Sequence, residues 1–156
     1  MEYRRVYERA ALVLAILVGV FVGASGFTFA YARGASYLFN DPETCQNCHI
    51  MRAEFDGWTK SSHHAVAVCN DCHVSQGLIS KWLTKAENGF NHSAAFTFQN
   101  FHEPIQLRPH SSRVLEQNCL RCHQELVNTI RAYHGGASGD ISCVRCHASV
   151  GHGPAR

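Results

Sequence analysis

The chain has 156 residues, of which 46% are hydrophobic and 17% charged, and its formal charge is +2. Disorder is excluded, because it needs low hydrophobicity and high net charge, and so is a large multidomain enzyme. A charge this close to neutral gives no basis for nucleic-acid binding.

The first element in chain order is apolar. Between Arg9 and Arg33 run 23 uncharged residues, Ala10 to Ala32. As a helix they span about 34 Å, enough for a hydrocarbon core of about 30 Å. This predicts an uncleaved single-pass anchor. Residues 1–36 then form the cytoplasmic N-terminus and span, and residues 37–156 form an exported domain. A secretory signal peptide is the rival, since Ala30-Tyr31-Ala32 has the look of a small-residue cleavage site. Its apolar region, however, is normally only about 7 to 15 residues long. Arg4, Arg5 and Arg9 precede the span and only Arg33 closely follows it, which keeps the N-terminus in the cytoplasm and places the rest in the periplasm, across the inner membrane. Tyr3, Tyr7, Tyr31 and Tyr37 flank the lipid bilayer at interfacial depth. Ala15, Gly19 and Gly23 make a small-residue face, a route to self-association.

Beyond the span, all 8 cysteines fall into four copies of Cys-x-x-Cys-His. These are Cys45/Cys48/His49, Cys69/Cys72/His73, Cys119/Cys122/His123 and Cys143/Cys146/His147. Two thiols one helical turn apart can each bond a haem vinyl group, while the adjacent imidazole turns toward the iron. A zinc site or a structural disulfide would not need a His after every pair. The pattern therefore predicts four covalently bound haem c groups. Sites one and two are 24 residues apart, and so are sites three and four, which indicates two dihaem modules from a duplicated unit. With about 30 residues per haem, the macrocycles must supply much of the apolar core.

The expected fold is all-α: one transmembrane helix and a small domain of short helices and loops, without a sheet. Leu78, Ile79, Trp82 and Leu83 have helical spacing before Gly89, and Val114, Leu115, Leu120 and Leu126 continue it around the third motif. The run Gly135 to Asp140 reads as a loop ahead of the fourth. Seven histidines lie outside the motifs: His63, His64, His92, His102, His110, His134 and His152. Four would be used if every iron had two His ligands, and spacing alone does not pair them. Met51, in Cys48-His49-Ile50-Met51, offers a soft sulfur that would raise the potential of the first haem, or else only packs beside it.

The single anchor, the four motifs and the sequence Cys-x-x-Cys-His-x-Met at the first of them resemble the NapC/NirT family of membrane-bound tetrahaem quinol dehydrogenases. Within it the chain is most similar to the short members that anchor an ammonia-forming cytochrome c nitrite reductase. The resemblance covers essentially the whole chain. It implies that Met51, and not His49, binds the first iron. It implies that His73 pairs with His152 on the second haem and His123 with His64 on the third, with His63 the adjacent alternative. For the fourth haem it implies His147 and a lysine of the catalytic subunit, which leaves His102, His110 and His134 without a role. The family places a Lys, and an acid seven residues later, at the quinol site. Here Lys85 keeps its place while His92 stands in the acid's position, so His92 is either a proton acceptor or a further ligand of the first iron. Glu87 is a lesser candidate at that site.

The resemblance thus implies a relay that takes electrons from menaquinol and passes them to a periplasmic multihaem nitrite reductase subunit. A general relay serving several periplasmic reductases is the alternative. A self-contained nitrite or hydroxylamine reductase would need a substrate pocket that so short a chain hardly provides. A redox-sensing or structural haem protein lacks the signalling domain expected of it.

Overall fold

The computed structural model describes residues 2–133 and 142–153, and every regular element among them is helical. His134 and the Gly135 to Asp140 segment lie outside the described residues. The chain divides into two compact units, 1–39 and 40–156.

The first unit is built on α1, Glu2–Tyr31, which is long and apolar enough to cross a membrane. Its large apolar side chains, among them Leu14, Leu17, Phe21 and Phe27, are exposed. Gly19 and Gly23 face open space. Arg4 pairs with Glu8 at 2.9 Å one turn on, and Phe27 stacks on Tyr31 at 5.9 Å. The helix stops where Arg33 takes a left-handed conformation, φ 51°, and a short 3₁₀ turn, Gly34–Leu38, follows.

The second unit opens with two 3₁₀ turns, Pro42–Asn47 and His49–Met51, then α2, Arg52–Thr59. Asp41 caps the first turn by accepting the Glu43 N–H at 3.0 Å, and Pro42 enters where no N–H is needed. The second motif forms α3, Cys69–His73, whose Asp71 carboxylate accepts the Val68 N–H at 2.9 Å. α4 spans Leu78–Phe98. It does not stop at Gly89, because a glycine inside a helix costs only about 1 kcal/mol and can be absorbed. It ends instead at Gln99, in the left-handed region with φ 53°. α5 spans Pro109–Tyr133 with non-helical backbone at His123, and α6 is the single turn Cys143–Cys146.

Little holds these helices together through apolar contact. Trp58, Val74 and Val114 are the buried apolar side chains among the described residues. Polar clamps carry much of the packing. The buried Asn118 on α5 donates to the Cys72 and Val74 carbonyls at 2.8 and 3.0 Å, which fastens α3 to α5. The Trp58 indole donates to the Ala67 carbonyl at 3.0 Å and ties α2 to the chain entering α3. So small a protein core is what a domain organised around large apolar prosthetic groups requires.

Candidate functional site

The second, third and fourth Cys-x-x-Cys-His motifs each occupy a helical turn with the histidine at or beside its end, whereas the first is split, with extended Cys48 between two 3₁₀ turns and His49 opening the second. His123 has φ −111° and ψ 15° within α5, and His147, at the end of α6, has φ −113° and ψ 41°. His73 is the last residue of α3 and is followed by extended Val74. No disulfide joins any of the eight cysteines in this structure.

The repeat seen in the sequence has a spatial counterpart. The Cys45 and Cys69 thiols hydrogen-bond each other, as do those of Cys119 and Cys143. The first bond pulls the Cys45 thiol down and pushes Cys69 up. Cys72 bridges the two pairs: burial raises its thiol, and so does the proximity of Cys119 and Cys122. The elements that carry the motifs pack in sequence order, the 3₁₀ turn Pro42–Asn47 on α3, α3 on α5 and α5 on α6.

Two motif histidines have an imidazole facing them from a distant segment. His73 and His152 have ring centroids 5.8 Å apart, and His63 and His123 are 6.0 Å apart. Two imidazoles on opposite sides of one metal, each bonded at about 2 Å, put their centroids about 6 Å apart. Both separations thus fit the ligand set of a haem iron. The outer rings are also held as such ligands need to be. His152 Nδ1 meets the Glu54 carbonyl at 2.9 Å and His63 Nδ1 meets the Val150 carbonyl at 3.2 Å, which leaves each Nε2 for a metal. Burial, with the charges of His152 and His92, pushes His73 down to about 4, so its ring is a neutral donor at neutral pH. Among the described residues no group of three or more His, Cys, Asp or Glu side chains is placed to hold a metal ion.

The remaining candidates fall as follows. His64, the residue expected opposite His123, is exposed and instead packs edge-on against Trp58 at 4.6 Å, while His63 occupies the facing position. Met51 is half-buried at the end of its 3₁₀ turn, and His49 is exposed. Lys85 Nζ donates to Asn40 Oδ1 at 3.2 Å and lies 5.6 Å from the Trp82 ring. Burial and the Lys81 charge lower its ammonium pKa, and Cys45 of the first motif is near enough to oppose them. His92, seven residues along α4, is lowered by burial and by Arg108. Glu87 is engaged elsewhere: its carboxylate holds Arg108 at 2.8 Å and His110 at 2.9 Å. That pairing gives His110 a partner the sequence did not suggest, and His102 is exposed.

One residue of this site carried no signal in the sequence. A Cβ on Gly57 would overlap the His152 carbonyl, so only glycine lets the C-terminal segment lie this close to α2. Gly57→Ala is expected to push His152 away from His73 at a cost of about 1–3 kcal/mol. Thermal melts, with the low-spin haem content read by electron paramagnetic resonance, check this. An unchanged spectrum and melting temperature would show that the segment has another way to dock.

Residues 5–156 match the model of the NapC/NirT cytochrome c family, N-terminal region. The chain is 34% identical over 155 residues to the cytochrome c-type protein NrfH of Wolinella succinogenes, covering 93% of this chain and 85% of the relative. It is 26% identical over 156 residues to a tetraheme cytochrome-c type protein of Allochromatium vinosum, covering 85% and 84%. Among solved structures it resembles a chain of the cytochrome c nitrite reductase NrfHA complex bound to the inhibitor HQNO. There the TM-score is 0.63 and the identity 25%, over 88% of this chain and 90% of that one. With the family model matching from residue 5 to the last residue, and a relative at 34% identity along nearly the whole length, the chain belongs to the NapC/NirT family of c-type cytochromes, whose haem is covalently bound.

Proposed function

We propose that the chain is a membrane-anchored tetrahaem relay that oxidises menaquinol and delivers the electrons to a periplasmic nitrite reductase subunit. The observation that carries this reading is the succession of the motif-bearing elements: the 3₁₀ turn Pro42–Asn47 packs on α3, α3 on α5 and α5 on α6. A catalytic haem enzyme needs one pocket, whereas a relay needs this kind of succession. The similarity to NrfH and to the NrfHA complex supports the choice of partner.

In this reading each Cys-x-x-Cys pair holds one haem c by thioethers, and the bound haems supply one-electron carriers. Met51 ligates the first iron, His73 and His152 the second, and His63 and His123 the third. His147 ligates the fourth, with its second ligand from the catalytic subunit. Menaquinol releases two electrons and two protons, so two acceptors are needed at the entry end. Lys85 and His92 take this role, being titratable groups two turns apart on α4 whose pKa values burial lowers. Glu87 is a poorer acceptor, since its carboxylate is already shared between Arg108 and His110. The arginine bias around α1 puts the N-terminus in the cytoplasm and the haem domain in the periplasm.

The test is extraction of the full-length protein from its native membrane in mild detergent. Mass spectrometry of what stays bound is combined with reduction of the haems by a menaquinol analogue. A larger multihaem subunit in stoichiometric amount, with rapid quinol reduction, is the expected result. Reduction without a bound subunit would favour the general relay. Failure of quinol to reduce a protein with four intact haems would overturn the quinol reading itself.

A further inference from the structure

The fourth motif is fastened differently from the first two. Asp41 caps the turn of the first motif and Asp71 that of the second, each reaching a backbone N–H two or three residues away. α6 has no such local cap. It is held by Glu116, on α5 and 27 residues away in sequence, whose Oε2 accepts the Cys143 N–H at 2.9 Å. Its Oε1 accepts the Ser142 hydroxyl at 2.6 Å. A single turn of four residues cannot hold its own conformation, because one turn is all nucleation cost. The placement of Cys143 and Cys146 therefore depends on this clamp.

Glu116 also lies between two attachment points. It precedes Cys119 by one turn, Cys119 and Cys143 hydrogen-bond each other, and the carboxylate acts on the thiols of both. Burial works to raise the Glu116 carboxyl, but the hydrogen bonds from Cys143 and Ser142 outweigh it and hold the group below its ordinary range. The backbone N–H of Cys143 remains a donor when its sulfur is a thioether. A fixed negative charge beside a haem favours the ferric over the ferrous iron and so lowers its reduction potential.

We propose that Glu116 is a positioning residue of the second dihaem module. It docks the fourth motif against the third and, as a fixed charge at their junction, lowers the potential of the haem attached at Cys143 and Cys146. This rests on the assignment of haem to those cysteines.

The experiment uses full-length protein in detergent, with haems counted by intact mass and potentials read by spectroelectrochemical titration. Glu116→Gln is expected to keep four haems and to shift one of the four midpoints upward, the one lost when Cys143 and Cys146 are both replaced by serine. Glu116→Asp is expected to restore it largely, and Glu116→Ala to reduce occupancy of the fourth site. Four haems with all midpoints unchanged in Glu116→Gln would overturn the proposal. If Gln and Ala both lose the fourth haem, Glu116→Asp decides: recovery of four haems with the native midpoint supports the role, and continued loss overturns it. Fewer than four haems in the unaltered protein would refute the haem assignment and not the clamp.

Discussion

Replacing His63 with alanine is expected to convert one of the four haems from a six-coordinate low-spin centre to one lacking its distal imidazole, whereas replacing His64 leaves all four unchanged. The two residues are adjacent, so the contrast is a demanding one. His63 faces His123 at 6.0 Å between ring centroids, and the contact of its Nδ1 with the Val150 carbonyl fixes the ring with Nε2 available. His64 sits on the edge of the Trp58 indole and is exposed. His64→Ala should cost only that aromatic contact, about 0.5–1.5 kcal/mol, and leave the haem spectra alone. Electron paramagnetic resonance and magnetic circular dichroism separate the outcomes, with the haem count checked by mass. A low-spin centre lost in His64→Ala and kept in His63→Ala would reverse the assignment. The potential of the third haem should also rise in His63→Ala, because loss of an imidazole donor favours the ferrous state.

The choice between these neighbours shows where the sequence stops being readable. The motifs, their 24-residue repeat and the apolar span are local patterns, and local patterns fix local structure: an all-α chain with an N-terminal helix of spanning length is what the structure contains. The facing imidazoles are not local. His63 meets His123 and His152 meets His73 across most of the domain, and nothing in Ser62-His63-His64-Ala65 says which ring the turn will aim inward. The family resemblance favoured His64; the backbone of the turn puts His63 in front of His123. Gly57 and Glu116 were invisible for the same reason, since each matters only through a segment that returns from far along the chain. Glu87 was readable as a titratable group near Lys85, but its engagement by Arg108 and His110 depends on where the chain after α4 comes back.

The proposed quinol site makes the other large prediction. Lys85→Gln should lower quinol oxidation by about 100-fold, the scale of a lost general base, while the four haems still reduce normally with dithionite. His92→Ala should lower it by a similar factor. If both variants oxidise quinol at the native rate with intact haems, the entry point lies elsewhere in the chain. The pH dependence gives a sharper check. Lysine accepts a proton only when neutral, so the rate should rise with pH up to the Lys85 pKa. Burial and the Lys81 charge move that pKa below the ordinary lysine value, which brings the rise nearer to neutral pH. Removing the like charge in Lys81→Gln lifts the Lys85 pKa again, so the rising limb of the profile should move to higher pH while the plateau rate stays the same. Lys85→Gln should abolish that limb and leave only the dependence due to His92, whose pKa is lowered by burial and by the Arg108 charge. A limb that stays in place in Lys81→Gln would mean that the group titrating on the rate is not Lys85. The same limb surviving in Lys85→Gln would assign both protons to other groups, with His92 the first to examine.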